Sequence, residues 1–279
     1  MARLRYVRDT TPKRDSGAPS RKISHTVRSV RALYETEPEI AAAVLPRPLV
    51  PAGSPEVFVQ FADVTMHLAE DRIVNIGAAT VGVACTHEGQ FGYYVLAMPM
   101  EGEFVVIGGR EVYGEPKKVA KTEFLLSDTS VRATVTRHDI TFLEMSGVLG
   151  EPTDAPKQFT EHLFCFKAMP ATAAGGAKDG GFDGDVFLTR LVWERNYTSV
   201  RRIDNGQIVL RDSPFDPLID VPVKRLIKME LAEGATKTRG EVVCTVPGEY
   251  LSPFLVQRYD DRNEGINVEL ASEGKDINA

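Results

Sequence analysis

Gly109-Arg110-Glu111-Val112-Tyr113-Gly114-Glu115-Pro116-Lys117-Lys118 gathers the residue types of this chain best suited to chemistry. A lysine amine kept where water is scarce can shed its proton near neutral pH and attack a carbonyl as a free nucleophile. Pro116 fixes its own φ and pushes Glu115 into extended backbone. A chain that stays extended beyond it sends Lys117 and Lys118 to opposite faces. At that separation, screened by solvent, neither charge acts strongly on the other, which leaves burial as the expected means of activation. Tyr113 and Glu115 are the nearest proton carriers, followed by Tyr93 or Tyr94; Glu115 is equally suited to pair with Lys118 at a surface. Arg110 can clamp a substrate carboxylate through two parallel hydrogen bonds or pair with Glu111. Met98 and Met100 are candidate apolar walls.

The elements that must position these residues read as mainly strand. Val57 to Met66, Ile73 to Cys85, Tyr93 to Met100 and Phe104 to Ile107 are strand-sized apolar runs, the last leading straight into the lysine segment. Val131, Ala133 and Val135 alternate with polar residues and resume at Ile140 and Phe142, so His138-Asp139 marks a hairpin. Asn205-Gly206 predicts a second hairpin, and Ala171 to Gly184, rich in glycine, a loop. Thr36 as N-cap with Glu39 three positions on predicts a helix over Ile40 to Leu45, stopped by Pro46. Pro222 to Leu231 suggests a second short helix. Residues 1–25, basic and poor in apolar periodicity, are expected to form a flexible tail, 26–271 a single domain and 272–279 a polar C-terminal tail.

Composition narrows the function classes. With 279 residues and 43% hydrophobic content the chain can bury a sizeable core. No apolar run approaches the roughly 20 residues of a membrane helix, no secretory apolar core follows Met1, and a net charge of -6 does not suit a nucleic-acid surface. Neither a membrane nor nucleic acid is therefore an expected partner, and the expected location is the cytoplasm. Cys85, Cys165 and Cys244 are three, far apart and set among apolar neighbours, which suits core thiols rather than disulfides. His25, His67, His87, His138 and His162 show no metal-type spacing, so no metal site is expected. His67, ending an apolar strand, is the histidine closest to the expected pocket.

Gly-Arg-Glu followed by Pro-Lys-Lys resembles the acetoacetate decarboxylase superfamily. Tyr34 through Leu49, with Pro46-Arg47-Pro48-Leu49, is similar to the family's N-terminal helix and its exit, and Pro217-Leu218-Ile219-Asp220-Val221-Pro222-Val223-Lys224 resembles its second signature. The resemblance implies an α+β, mainly β fold, an antiparallel sheet curled into a barrel-like cone with a few helices, assembled into homo-oligomers. It implies Lys117 as the Schiff-base nucleophile, Lys118 as the neighbour linked to its activation, a small keto acid as substrate and no cofactor. Decarboxylation of a β-keto acid through an iminium and an enamine is the activity implied first.

The family's decarboxylating members also carry an arginine near the N-terminus and two strand glutamates. In this chain the arginine falls near Val27, with Arg28 adjacent, and the first glutamate near Ala62, with Asp63 adjacent. The second falls within Asn75 to Thr80, which holds no acidic residue. Candidate catalytic residues are thus Lys117, Lys118, Glu115 and Asp63, and candidate substrate-binding residues Arg28, Met98, Tyr113 and Arg110. Relatives lacking those groups resemble aldolases or dehydratases that join a 2-oxo acid such as pyruvate to an aldehyde through the same imine. A binding module without turnover is the remaining possibility.

Overall fold

The computed structural model describes residues 6–7, 24–69, 72–172, 181–255 and 258–259. The described elements are β1 (Ser24–Glu35), α1 (Pro38–Ala43), β2 (Val50–Pro51), β3 (Glu56–Ala69), β4 (Arg72–His87), β5 (Gln90–Met100), α2 (Glu103–Tyr113) and β6 (Lys117–Val119). They continue with β7 (Lys121–Leu126), β8 (Ser130–Arg137), β9 (Ile140–Pro152), β10 (Gln158–Lys167), β11 (Val186–Leu210) and β12 (Arg225–Val246). Among the described residues no helix is long and apolar enough to cross a membrane.

Strands β10-β5-β4-β3-β1-β12-β11 lie side by side, and β11 pairs back onto β10, so seven strands close into a ring. The closing contact between β5 and β10 is short, with only Leu163–Tyr93 and Phe164–Tyr94 in register. The sheet is mixed, because β5 runs parallel to both β10 and β6 while the other neighbours are antiparallel. β11, 25 residues long, continues beyond the ring to pair with β9, and β9-β8-β7 fold over the outer face, where Phe124 of β7 stacks on Phe61 of β3 with ring centroids 5.4 Å apart.

Alternation along β3 sorts its residues into two cores. Val57, Val59 and Phe61 join the outer core with Tyr34, Val83, Phe142, Met145 and Phe164, while Phe58 joins Met98, Leu163, Leu191 and Trp193 in an inner layer. Both faces are buried, which is why β3 reads as a nearly unbroken apolar run rather than a strict alternation.

Several local expectations require correction. Phe104 to Ile107 is the first half of a helix. α2 is bounded by Gly102 (φ +83) and Gly114 (φ +74), and it buries Val106 and Gly109 one turn apart. A four-residue apolar run fits either period, and the flanking left-handed glycines decide it. Helix α1 exists, but Pro38 starts it and Glu37 is its N-cap; Thr36 instead donates its backbone N–H to the Pro55 carbonyl at 3.0 Å. The stretch before α1 is strand β1 from Ser24, inside the proposed tail, the rest of which lies outside the described residues apart from 6–7 and His25.

Asn205-Gly206 does not reverse the chain. β11 runs straight through it, with Asp204 opposite Val148 and Gln207 opposite Ser146, so the two residues form a bulge. The left-handed Asn205 (φ 53) serves a bulge as well as a hairpin. Pro222 to Leu231 leads into β12 rather than a helix. A register shift against β1 between Tyr34–Leu226 and Leu33–Lys228 interrupts the alternation by which a strand is recognised. The hairpin at His138-Asp139 forms with both residues at positive φ (47 and 62), and the loop over Ala171 to Gly184 lies largely outside the described residues.

Candidate active site

Helix α2 lies over one end of the ring, and its exit builds the site. Gly114 N–H donates to the Arg110 carbonyl (3.1 Å) and Glu115 N–H to the Gly109 carbonyl (3.3 Å), the paired bonds by which a left-handed glycine ends a helix. That turn delivers Glu115, then Pro116, then β6, which pairs with β5 so that Lys117 sits beside Met98. The Lys117 side chain is 13% exposed, and its Nζ lies 2.7 Å from Oε2 of the buried Glu115. Glu115 Oε2 has no other polar partner among the described residues.

A glycine makes the pair possible. A Cβ at Gly109 would stand 2.6 Å from Lys117 Nζ and closer still to Glu115 Oε2. Arg110 does not enter the cavity. It donates to the Lys117 carbonyl at 2.9 Å and the Arg258 carbonyl at 3.0 Å, fixing the backbone at Lys117. The buried Arg258 in turn bonds the carbonyls of Phe166 and Gly114, and burial pushes its guanidinium below its usual range.

Lys117 opens into a cavity of about 460 Å³ inside the ring. Val27, Ala62, Val64, Ile76, Ala78, Met98, Met100 and Phe104 give it apolar walls; Gln60, Thr80, Tyr113, Trp193, Arg195, Thr236 and Thr238 supply its polar ones. Of the residues expected from the sequence, the structure gathers Lys117, Glu115, Tyr113, Met98 and Met100 here. The Tyr113 ring occupies the space above Gly240, and its carbonyl accepts from the Thr189 hydroxyl at 2.6 Å.

The structure does not bring Lys118, Arg28 or Asp63 to this cavity. Lys118 leaves β6 on the other face, where its ammonium donates to the Phe215 carbonyl (2.7 Å) and to Asp216 (3.2 Å), which also binds Arg137 at 2.6 Å. Arg28 and Asp63 are register partners across β1 and β3 and pair with each other at 2.9 Å on the outer face, leaving Val27 and Ala62 to face inward. Tyr93 lines a separate cavity beside Arg31 and Glu161, and Tyr94 packs on Phe166 in the outer core; burial raises both phenols above their usual value. His67 is not in the cavity wall; His25, two strand positions from Val27, is, and burial lowers its imidazole below the usual value.

A model of the acetoacetate decarboxylase (ADC) family matches residues 7–245. The chain belongs to that family. No curated protein matches the sequence, but solved structures share the fold. The acetoacetate decarboxylase from Legionella pneumophila subsp. pneumophila str. Philadelphia 1 superposes with a TM-score of 0.64 at 18% identity, over 80% of this chain and 88% of that one. The enduracididine biosynthesis enzyme MppR, complexed with the condensation product of pyruvate and imidazole 4-carboxaldehyde, gives 0.66 at 14% identity over 79% and 88%. An acetoacetate decarboxylase-like enzyme from Sphingomonas wittichii RW1 gives 0.66 at 15% over 81% and 92%.

Sequence reasoning missed Gln60, Trp193, Arg195 and the role of Gly109. The strand run Leu191, Trp193, Arg195, Tyr197 held a signal, since a cation at every-second-residue spacing among large apolar residues points into an interior. Gly109 carried none, because its neighbour in space comes from a turn six residues on.

Proposed function

We propose that this protein is a lysine Schiff-base carbon–carbon lyase that joins a 2-oxo acid such as pyruvate to an aldehyde by aldol chemistry and dehydrates the product. The observation that carries this is the Lys117–Glu115 pair, 2.7 Å apart, at the wall of a cavity otherwise free of carboxylates among its described lining residues. Glu115 takes the ammonium proton as Lys117 attacks the ketone carbonyl. Water leaves to give the iminium, which draws off the electrons of an α C–H bond to form an enamine. The enamine carbon attacks the aldehyde, whose oxygen takes a proton to become a hydroxyl; the iminium then gives up a second α proton, and the enamine so formed expels the protonated hydroxyl as water, leaving a carbon–carbon double bond. Hydrolysis of the imine releases the unsaturated keto acid and restores the amine. Glu115, and Tyr113 beside it, are the groups in reach to carry these protons.

Decarboxylation of a β-keto acid is the second reading, supported by the apolar walls. Loss of carbon dioxide turns an iminium–carboxylate zwitterion into a neutral enamine, which a site of low polarity favours. Against it stand Val27, Ala62, Ile76 and Ala78, facing the cavity where the family resemblance places an arginine and two glutamates. Neither reaction needs a metal or an organic cofactor. Borohydride reduction in the presence of pyruvate should fix a label on Lys117, absent in Lys117→Ala. Pyruvate with an aromatic aldehyde should then yield an unsaturated adduct, whereas release of carbon dioxide and acetone from acetoacetate would favour the second reading. A wild-type protein that takes no label from any keto acid would refute both.

A further inference from the structure

Deep in the ring two arginines share one carboxylate. Glu161 binds Arg31 through one oxygen and the Arg195 Nε–H through the other at 2.6 Å. All three side chains are nearly buried, Arg195 at 2% exposed. With Lys117 balanced by Glu115, this cluster carries a positive charge that no other ion pair among the described residues cancels. An uncompensated buried cation beside a cavity is costly unless a ligand anion completes it.

Arg195 faces the Lys117 cavity, and its remaining hydrogens suit that anion. Of its five N–H groups, one goes to Glu161, one to Gln60 Oε1 at 2.9 Å and one to Thr236 Oγ1 at 3.1 Å. The guanidinium carbon sits 4.3 Å over the Trp193 ring, which sets the plane in which the other two N–H groups project. Gln60 is the register partner of Thr80, and with Thr236 and Thr238 they make this the polar wall. The strand order β6-β5-β4-β3 puts Gln60 roughly 14 Å around the barrel wall from Lys117, so the two long side chains reach in from different sides. The remaining wall, Val27, Ala62, Val64, Ile76 and Phe104, is apolar, and about 460 Å³ lies within the range of pockets that take drug-sized ligands, which leaves room for a bulky group beside a small keto acid.

We infer that Arg195 binds the carboxylate of the keto acid held by Lys117, and that the apolar wall receives a bulky apolar group on the aldehyde. This rests on the imine proposal above and names its substrate class. A carboxylate held by Arg195 is retained through the reaction, as condensation of a 2-oxo acid requires.

The test compares pyruvate with methyl pyruvate in borohydride trapping of the intact protein, read by mass. Wild type should reach half-labelling with the acid at a concentration about tenfold or more below that of the ester, the discrimination expected of a charge-assisted pair. Arg195→Gln should shrink that ratio towards one, and Arg195→Lys should restore part of it. The wild-type ratio needs no variant and stands even if Arg195→Gln fails to fold. In turnover with pyruvate, a phenyl-bearing aldehyde should exceed acetaldehyde about tenfold in kcat/KM, and Ala62→Leu should reverse the order. Labelling by both ketones without preference, a folded Arg195→Gln that keeps the preference, or acetaldehyde matching the aryl aldehyde would overturn the inference while leaving the imine intact. No label from either ketone would instead remove the imine itself.

Discussion

Lys117 and Lys118 are neighbours in sequence with nearly equal exposure, 13% and 9%, yet they meet different surroundings. Lys117 borders a cavity of about 460 Å³ with a single carboxylate at its amine; Lys118 borders a crevice of only about 100 Å³, where its ammonium is held by the Phe215 carbonyl and by Asp216, which also binds Arg137. Burial therefore does not tell the two lysines apart. What separates them is space for a reactant beside the nitrogen, and strand alternation across one peptide bond decides which lysine has it. The same alternation operates on β1 and β3, where Val27 and Ala62 face the cavity while Arg28 and Asp63 pair outside it.

The largest expected effect breaks the Lys117 side. Lys117→Ala should abolish borohydride labelling and lower turnover by at least about a thousandfold, whereas Lys118→Met should still be labelled. Equal loss in both would erase the distinction between the two faces. Next, Asp216→Asn removes the carboxylate that Lys118 and Arg137 share, and should cost about 3 kcal/mol of stability, read as a lower urea midpoint at constant slope. Labelling of Lys117 in the folded fraction should survive it. Gly109→Ala tests the other side: its methyl cannot coexist with the present Lys117 and Glu115 positions, so kcat should fall about tenfold to a hundredfold with a much smaller change in melting temperature. A fully active Gly109→Ala would show that the amine tolerates displacement and that the close pairing is not needed.

The residues that carry local geometry were legible in the sequence, and those that depend on distant pairing were not. The Pro116 turn and the extended Lys117-Lys118 step follow from backbone sterics, and His138-Asp139 closes a hairpin as its positive-φ tolerance suggests. Helix α2 was hidden because Phe104 to Ile107 shows no period, while the glycines that bound it read equally as turn residues. Asn205-Gly206 carried the right local conformation but the wrong topology, since only its partner strand β9 reveals that the chain runs on. Arg195 meets Glu161 and Gln60 from two other strands, a meeting fixed by ring closure between β10 and β11. No window of sequence contains that closure.

The smallest effect sharpens the comparison most. By sequence register Arg28 and Asp63 stand one position from where the family resemblance asks for an arginine and a glutamate, and the structure turns both outward into an ion pair at 44% and 30% exposure. Exposed pairs of this kind contribute less than about 1 kcal/mol, because solvent screens them and ordering two side chains offsets the attraction. Arg28→Ala and Asp63→Ala, singly or together, should therefore shift the melting temperature by no more than a few degrees and leave labelling of Lys117 within about twofold of wild type. Moving the charge inward should act quite differently. Val27→Arg puts a cation in the apolar wall, where burial without a partner is costly, and Ala62→Glu alone buries the opposite charge at similar cost; the double variant pairs them, since Val27 and Ala62 lie on facing strands two register steps apart. A double variant more stable than either single, with altered product ratio towards carbon dioxide release, would place the choice between the two reactions in which face of β1 and β3 carries the charges.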